Sequence, residues 1–143
     1  MQLSSHPSMT QVARLLAQCG LPSDDILPED LPNFVLASDG ESEVGVGGVQ
    51  VLGSSGLVRS VGVLPSHRSR GLGGRLLAAV EDRARSQGVK QLFLLTHDAQ
   101  SFFLAHGYTE SSRHSAPPEI QGCSQFGSSC CRTATLMCKQ VEA

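Results

Sequence analysis

Val58-Arg59-Ser60-Val61-Gly62-Val63-Leu64-Pro65-Ser66-His67-Arg68-Ser69-Arg70-Gly71-Leu72-Gly73-Gly74-Arg75-Leu76-Leu77 is the stretch on which the fold turns. A β-branched run ends at Pro65. A short loop then carries Arg68, Arg70, Gly71, Gly73, Gly74 and Arg75, and a helix begins at once. The first N–H groups of a helix have no carbonyl partner within it, and the helix dipole adds partial positive charge at that end. Glycines let a diphosphate approach the backbone, and arginines supply forked donors. Strand, Gly- and Arg-rich turn, and helix together form a device for holding phosphates. Two common phosphate signatures are excluded. Gly74-Arg75-Leu76 does not supply the Gly-Lys-Ser/Thr of a nucleotide-triphosphate loop, and Gly71, Gly73 and Leu76 miss the third glycine of the dinucleotide fingerprint. What does fit is R-x-x-G-x-G, spelled by Arg68, Gly71 and Gly73.

Outward from this stretch, the pattern predicts a mixed fold. Helical spacing of Val12, Leu15, Leu16 and Cys19 predicts a helix over Ser8–Gly20, capped by Ser8 or Thr10. A second short helix is expected over Ser23–Asp30. The period then changes. Strands are expected at Asn33–Ala37, at Val44–Leu52 with a bulge at Gly47-Gly48, and at Leu57–Leu64, separated by turns at Ser38–Glu41 and Gly53–Gly56. Leu72, Leu76, Leu77, Val80 and Ala84 form the buried stripe of a helix over Gly71–Gln87. Lys90–Thr96 reads as a strand covered on both faces. The strand–helix–strand unit predicts that Leu57–Leu64 and Gln91–Leu95 run parallel. A short helix at Ala99–His106, a strand after Gly107-Tyr108, an irregular or briefly helical Ala116–Cys123 and a closing strand at Thr133–Val141 complete the order.

The motif at residues 68–73, in this strand–turn–helix setting, resembles the acetyl-CoA-binding signature of the GNAT superfamily of N-acetyltransferases. The element order resembles that fold over nearly the whole chain, with the family's first strand missing or rudimentary. The resemblance implies an α+β fold in α/β/α layers. Its central sheet is mixed and mostly antiparallel, splayed between two parallel central strands and flanked by helices. It implies one acetyltransferase domain over residues 1–143, acetyl-CoA as cosubstrate and CoA as product. It places the pantetheine arm against the backbone of Val61, Gly62 and Val63. An N–H near Val61 polarises the acetyl carbonyl. The diphosphate falls on Arg68, Ser69, Arg70, Gly71, Leu72, Gly73, Gly74 and Arg75.

The reaction implied is direct attack of a neutral amine on the thioester. Many relatives carry a tyrosine in the short helix as general acid. In S-F-F-L-A-H-G-Y that position is Phe103, counted here among the cofactor-binding residues. Tyr108, the only tyrosine, falls on the Gly-aromatic position that is usually structural, and it is the remaining candidate acid. The strand Leu57–Val63 holds no carboxylate. A lysine-type amine titrates near about 10.4 and an α-amino group near about 7.7–8.0; freeing them at neutral pH costs about 4–5 and about 1 kcal/mol respectively. A site with weak bases therefore suits an amino-acid-like or other low-pKa amine. Either a water chain or His97 carries the proton away. Arg59 and Ser60 are candidates for an acidic group on the acceptor, the alternative for Arg59 being an ion pair on the strand face. Thr96 joins them as an acceptor-site candidate.

A finer resemblance is carried by L-V-R-S-V-G-V, L-F-L-L-T, S-F-F-L-A-H-G-Y, A-P-P-E-I, S-Q-F-G-S-S-C and T-A-T-L-M-C-K. These are similar to a GNAT subgroup of arsenic-resistance N-acetyltransferases, itself similar to the acetyltransferase domain of bacterial glutamate N-acetyltransferases. In that reading Ile120, Phe126, Cys130 and Thr133 shape the acceptor pocket. Cys131 stands where a proline is usual.

Composition narrows the rest. The chain has 143 residues, 40% hydrophobic and 17% charged, which suits one globular domain rather than disorder. Its net charge of -2 supplies no global basic field for nucleic acid. No apolar run reaches membrane-span length and the N-terminus lacks a signal-peptide pattern, so a cytoplasmic location is expected. Five cysteines, an odd number, argue against a complete disulfide framework. Cys123, Cys130, Cys131 and Cys138 are either small buried hydrophobes or soft thiolate ligands for a metalloid. No metal site is otherwise expected. Two functional alternatives stay open: a degenerate acetyl-CoA-binding sensor or partner module, and a thiol-based metalloid binder. A monomer or homodimer is expected.

Overall fold

A computed structural model describes residues 2–21, 23, 26–68, 71–121 and 134–141. Ser8 opens the first helix, α1 (Met9–Gln18), through reciprocal bonds. Its hydroxyl accepts from the Gln11 N–H at 3.2 Å, and the Gln11 side chain accepts from the Ser8 N–H at 2.9 Å. Before it lies β1 (Gln2–Ser5), all four residues of which pair with β2. The family's first strand is therefore present in a short form, the rudimentary one of the two alternatives expected. Gln-Leu-Ser-Ser offers no alternation from which to read it.

A 3-10 turn spans Pro28–Asn33, over the end of the helix expected at Ser23–Asp30, of which Asp24 and Asp25 lie outside the described residues. Pro28 sits at its start, where a missing N–H costs nothing, and Asp30 accepts from the Leu27 N–H at 3.2 Å. Then come β2 (Phe34–Asp39), β3 (Ser42–Leu52), β4 (Ser55–Val63), α2 (Leu72–Ser86), β5 (Gln91–Thr96), α3 (Gln100–Ala105), β6 (Thr109–Glu110), α4 (Pro118–Gln121) and β7 (Thr135–Gln140). The seven strands lie in the order β1-β2-β3-β4-β5-β7-β6. Every neighbouring pair is antiparallel except β4 and β5, which are parallel.

The helices sit on opposite faces. Val12, Leu15 and Leu16 of α1 meet Phe34, Leu36 and Val46. Leu72, Leu76, Leu77 and Val80 of α2 meet Val35, Val49, Val58, Leu92 and Leu94 on the other side. Glycines explain how closely α2 rests on β3: a Cβ at Gly45 would lie 2.7 Å from Leu76, and one at Gly47 would lie 3.2 Å from Val80.

Two register details shape the site. The parallel pairing of β4 and β5 covers only Ser55–Leu57 against Gln91–Phe93, so the strands part beyond it. The register shifts at Gly47, where the bulge is expected, but the extra residue is on β4. Arg59 and Gly62 pair with Gly48 and Val46, leaving Ser60 and Val61 opposite Gly47 alone. Ser60 takes a left-handed φ of 59° to do so. Among the described residues, no helix is long and apolar enough to cross a membrane.

Candidate functional site

Where β4 and β5 part, they open a cleft of about 960 Å³. Val58–Val63 form one wall and Leu94, Leu95 and Thr96 the other. The first turn of α2, from Gly71 to Gly74, closes one end together with His67 and Arg68. Phe102, Phe103 and His106 of α3 and its C-terminal end form a side, and Gly20 and Leu21 reach in from the end of α1.

The α2 end has the geometry with which a helix N-terminus can receive an anion. Gly71 caps the helix with φ 76°, a left-handed conformation that glycine adopts without steric cost. The next hydrogen bond of the helix runs from the Arg75 N–H to the Gly71 carbonyl at 3.2 Å. The earlier N–H groups, of Leu72, Gly73 and Gly74, belong to the first turn, which has no intrahelical acceptors. Gly73 and Gly74 also let α3 approach. A Cβ at Gly73 would lie 3.2 Å from the Phe102 ring, and one at Gly74 would lie 2.7 Å from His106 Nε2. Arg68 folds back across the end of β4, its Nε donating to the Val63 carbonyl at 2.9 Å. His67 bridges Ser66 and Asp39, with Nε2 2.9 Å from the Asp39 carboxylate.

The floor and far wall are polar at chosen points. Arg59 is only 4% exposed and its Nε donates to the Ser60 hydroxyl at 3.3 Å. Thr96 is buried, and its hydroxyl accepts from the Ala99 N–H at 3.1 Å, which shapes the β5–α3 turn. His97 stands exposed on that turn beside Asp98, and both line the cleft. Behind Gly62 sits Cys19, its sulfur 3.1 Å from where a Cβ would be. Burial pushes the Cys19 thiol up from its ordinary range, and the Arg68 charge pulls it partly back.

The cleft thus brings together Arg59, Ser60, Val61, Gly62, Val63, Arg68, Gly71, Leu72, Gly73, Gly74, Thr96, His97 and Phe103 from among the residues expected in the site. Two expectations are corrected, those for Tyr108 and Ile120, and Arg75 stands apart from the lining. Tyr108 is not in the lining: it is fully buried, and its hydroxyl donates to the Glu81 carboxylate at 2.9 Å. An aromatic directly after Gly107 (φ 93°) turns inward onto α2. Arg75 is exposed and lies outside the lining, because helical rotation carries it away from the first-turn face. Ile120 packs on Leu57, Phe93 and Leu136 rather than in the cleft. Ser69, Arg70, Cys123, Phe126, Cys130, Cys131 and Thr133 lie outside the described residues.

Sequence reasoning missed His106, Phe102 and the Gly20–Leu21 corner. Phe102 and His106 are four apart on one helical face, a signal present in the sequence. Gly20 and Leu21 carry none, since only tertiary packing brings the end of α1 to β4.

Comparison with known proteins fits this geometry. A family model described as acetyltransferase (GNAT) domain matches residues 30–110. An uncharacterized N-acetyltransferase, YjcF, of Bacillus subtilis (strain 168) is 34% identical over 82 residues, covering 56% of this chain and 58% of that protein. An amino-acid acetyltransferase of Ectopseudomonas mendocina (strain ymp) is 40% identical over 62 residues, which cover 43% of this chain and 14% of that protein. The chain therefore spans less than two thirds of either relative. The structure of N-acetylglutamate synthase from Neisseria gonorrhoeae, complexed with coenzyme A and N-acetyl-glutamate, superposes with a TM-score of 0.84 at 19% identity, covering 99% of this chain and 35% of that one. At that identity the likeness is one of fold.

Proposed function

The chain belongs to the GNAT acetyltransferase family, and on that premise we propose that it transfers an acetyl group from acetyl-CoA to the amine of a small, amino-acid-like acceptor by direct attack. One observation carries the reading: the edge of β4 that β5 leaves unpaired beyond Leu57 and the open first turn of α2 line the same cleft. An extended pantetheine arm can pair with the strand edge while the diphosphate meets the Leu72, Gly73 and Gly74 N–H groups, with Arg68 beside them.

The chemistry follows from what each group can do. The arm aligns the thioester near the Ser60–Val61 bulge, which redirects the β4 backbone toward the cleft. An N–H at Val61 then stabilises the oxyanion as the amine adds. Arg59, buried under the acceptor end with Ser60, offers a cation for an acceptor carboxylate. His97, on the rim, takes the amine proton directly or through water. The thiolate leaves as coenzyme A and is protonated from solvent, since Tyr108 is out of reach on Glu81. Phe103, 8% exposed in the lining, packs against the arm instead. The relatives named as amino-acid acetyltransferases support an acceptor of this class.

Calorimetry with coenzyme A, followed by acetyl transfer to a panel of amino acids and small amines, tests the reading. Binding with turnover on an α-amine is expected. Absence of coenzyme A association with the folded protein sinks it, and tight binding without transfer to any acceptor would turn it into a sensor module. For the proton acceptor, His97→Ala is expected to lower kcat/KM by about 10²-fold or more at about pH 7 and above, because only an unprotonated ring can take the amine proton. An unchanged rate over pH 6–9 leaves the water chain as the base.

Of the four cysteines in the metalloid alternative, Cys138 alone lies among the described residues. Among the described residues, no group of three or more His, Cys, Asp or Glu side chains is placed to hold a metal.

A further inference from the structure

Resting on the reading of the α2 end as a diphosphate seat, we propose that His106 is a further ligand of that diphosphate and takes up a proton when the cofactor binds. The imidazole lies where α3 ends against the first turn of α2. It stacks on Phe102 with ring centroids 4.5 Å apart, and it lines the cleft. Its Nε2 sits 2.7 Å from where a Cβ on Gly74 would be. Glycine at 74 is thus what lets the ring rest on the turn whose N–H groups face the cleft. Any side chain there displaces it.

The tautomer decides the chemistry. Nδ1 lies 2.8 Å from the Phe102 carbonyl oxygen. A carbonyl only accepts, so Nδ1 carries a hydrogen. The neutral ring therefore presents Nε2 as a lone pair. A diphosphate oxygen also only accepts, and two acceptors repel. Contact requires a proton on Nε2, which converts the repulsion into a charge-assisted hydrogen bond.

Charged groups face the ring from several elements. From α2, it meets the positive end of the helix dipole. From β7, Lys139 Nζ donates to the His106 carbonyl at 3.0 Å and adds a second positive charge nearby. Glu81 of α2 is held by that same Lys139, at 3.1 and 3.2 Å, and by the Tyr108 hydroxyl. Its charge is therefore directed at Lys139. His67, Arg68, His97 and Asp98 share the cleft lining. A diphosphate on the turn reverses the local field, so cofactor and proton arrive together.

Dephospho-coenzyme A is the probe, because it lacks the 3′-phosphate that itself titrates near neutrality. Its binding is measured by calorimetry at pH 6 and pH 8, in buffers of different ionisation enthalpy. The wild-type protein is expected to bind about tenfold more tightly at pH 6, with proton uptake. His106→Gln is expected to lose both the uptake and the pH dependence while keeping its melting temperature. Pantetheine, which has no diphosphate, is expected to bind both proteins equally at both pH values. Gly74→Ala, which pushes the ring aside, is expected to reproduce the His106→Gln behaviour. The proposal falls if the wild type binds without proton uptake, or if His106→Gln retains it. If the wild type binds no form of coenzyme A, the underlying reading of the cleft falls with it.

Discussion

Tyr108, the only tyrosine, shows how burial can remove a residue from chemistry. It is fully buried, its ring 5.7 Å from that of Phe103, with Lys139 Nζ 5.5 Å from its centroid. Burial first, then the Glu81 charge and hydrogen bond, push its phenol far above the usual range, with Arg85 pulling slightly back. The unfolded phenol ionises near about pH 10, whereas the folded one keeps its proton. Above that pH the unfolded chain sheds a proton that the folded chain holds. The stability this group contributes is thus complete below about pH 10 and drains away as pH rises further. Tyr108→Phe is expected to cost about 1.5 kcal/mol at neutral pH, because Lys139 still satisfies Glu81. It should also flatten the loss of thermal stability above about pH 10; an equally steep alkaline limb would contradict this. Arg59 gives the complementary case, a buried cation in the cleft. If it binds an acceptor carboxylate, Arg59→Met raises KM for the acceptor at least tenfold and leaves KM for acetyl-CoA unchanged. Equal changes in both constants would instead indicate a general disturbance of β4.

At the scale of elements, glycines set the spacing. Gly48 lies under the Phe34 ring, and a Cβ there would stand 2.5 Å from it. Phe34 is fully buried between α1 and the sheet, so it has no room to yield. Gly48→Ala is expected to destabilise the fold by about 2–3 kcal/mol in urea titration. A loss below 0.5 kcal/mol would mean that the ring repacks freely. The strands from β2 onward, with α1, α2 and α3, could be read from periodicity and turn chemistry. Those signals sit in neighbouring residues: the 3.6-residue stripe of α2, the apolar run of β5, the Ser8 cap. β1 could not be read, because four polar-flanked residues become a strand only when β2 offers its edge. Nor could the bulge be placed on the right strand. The glycines at 47 and 48 suggested it, yet the extra residue belongs to β4, and register between two strands is a non-local property.

The whole molecule makes its cleft by ending one pairing early. β4 and β5 pair over three residues each and then diverge, which leaves backbone groups of both strands facing a cavity. If an extended ligand arm lies there, coenzyme A should slow amide hydrogen exchange in residues 58–63 and leave β1 and β2 unaffected. It should also raise stability by about 2.7 kcal/mol at a hundredfold excess over Kd. Uniform protection across the sheet would speak for global stabilisation without strand-edge pairing. The sequence alone determined the strand–turn–helix device, the R-x-x-G-x-G spacing and the parallel crossover, since these rest on local periodicity and on backbone geometry peculiar to glycine and proline; the family resemblance carried by that spacing implied most of the residues that line the cleft. Tertiary structure alone decided that Tyr108 turns inward, that Arg75 turns away, and that His106 rests on Gly74 while Gly20 and Leu21 join the far side. Those outcomes depend on which distant elements pack together and in what register, and the residues adjacent in the chain carry no record of that packing.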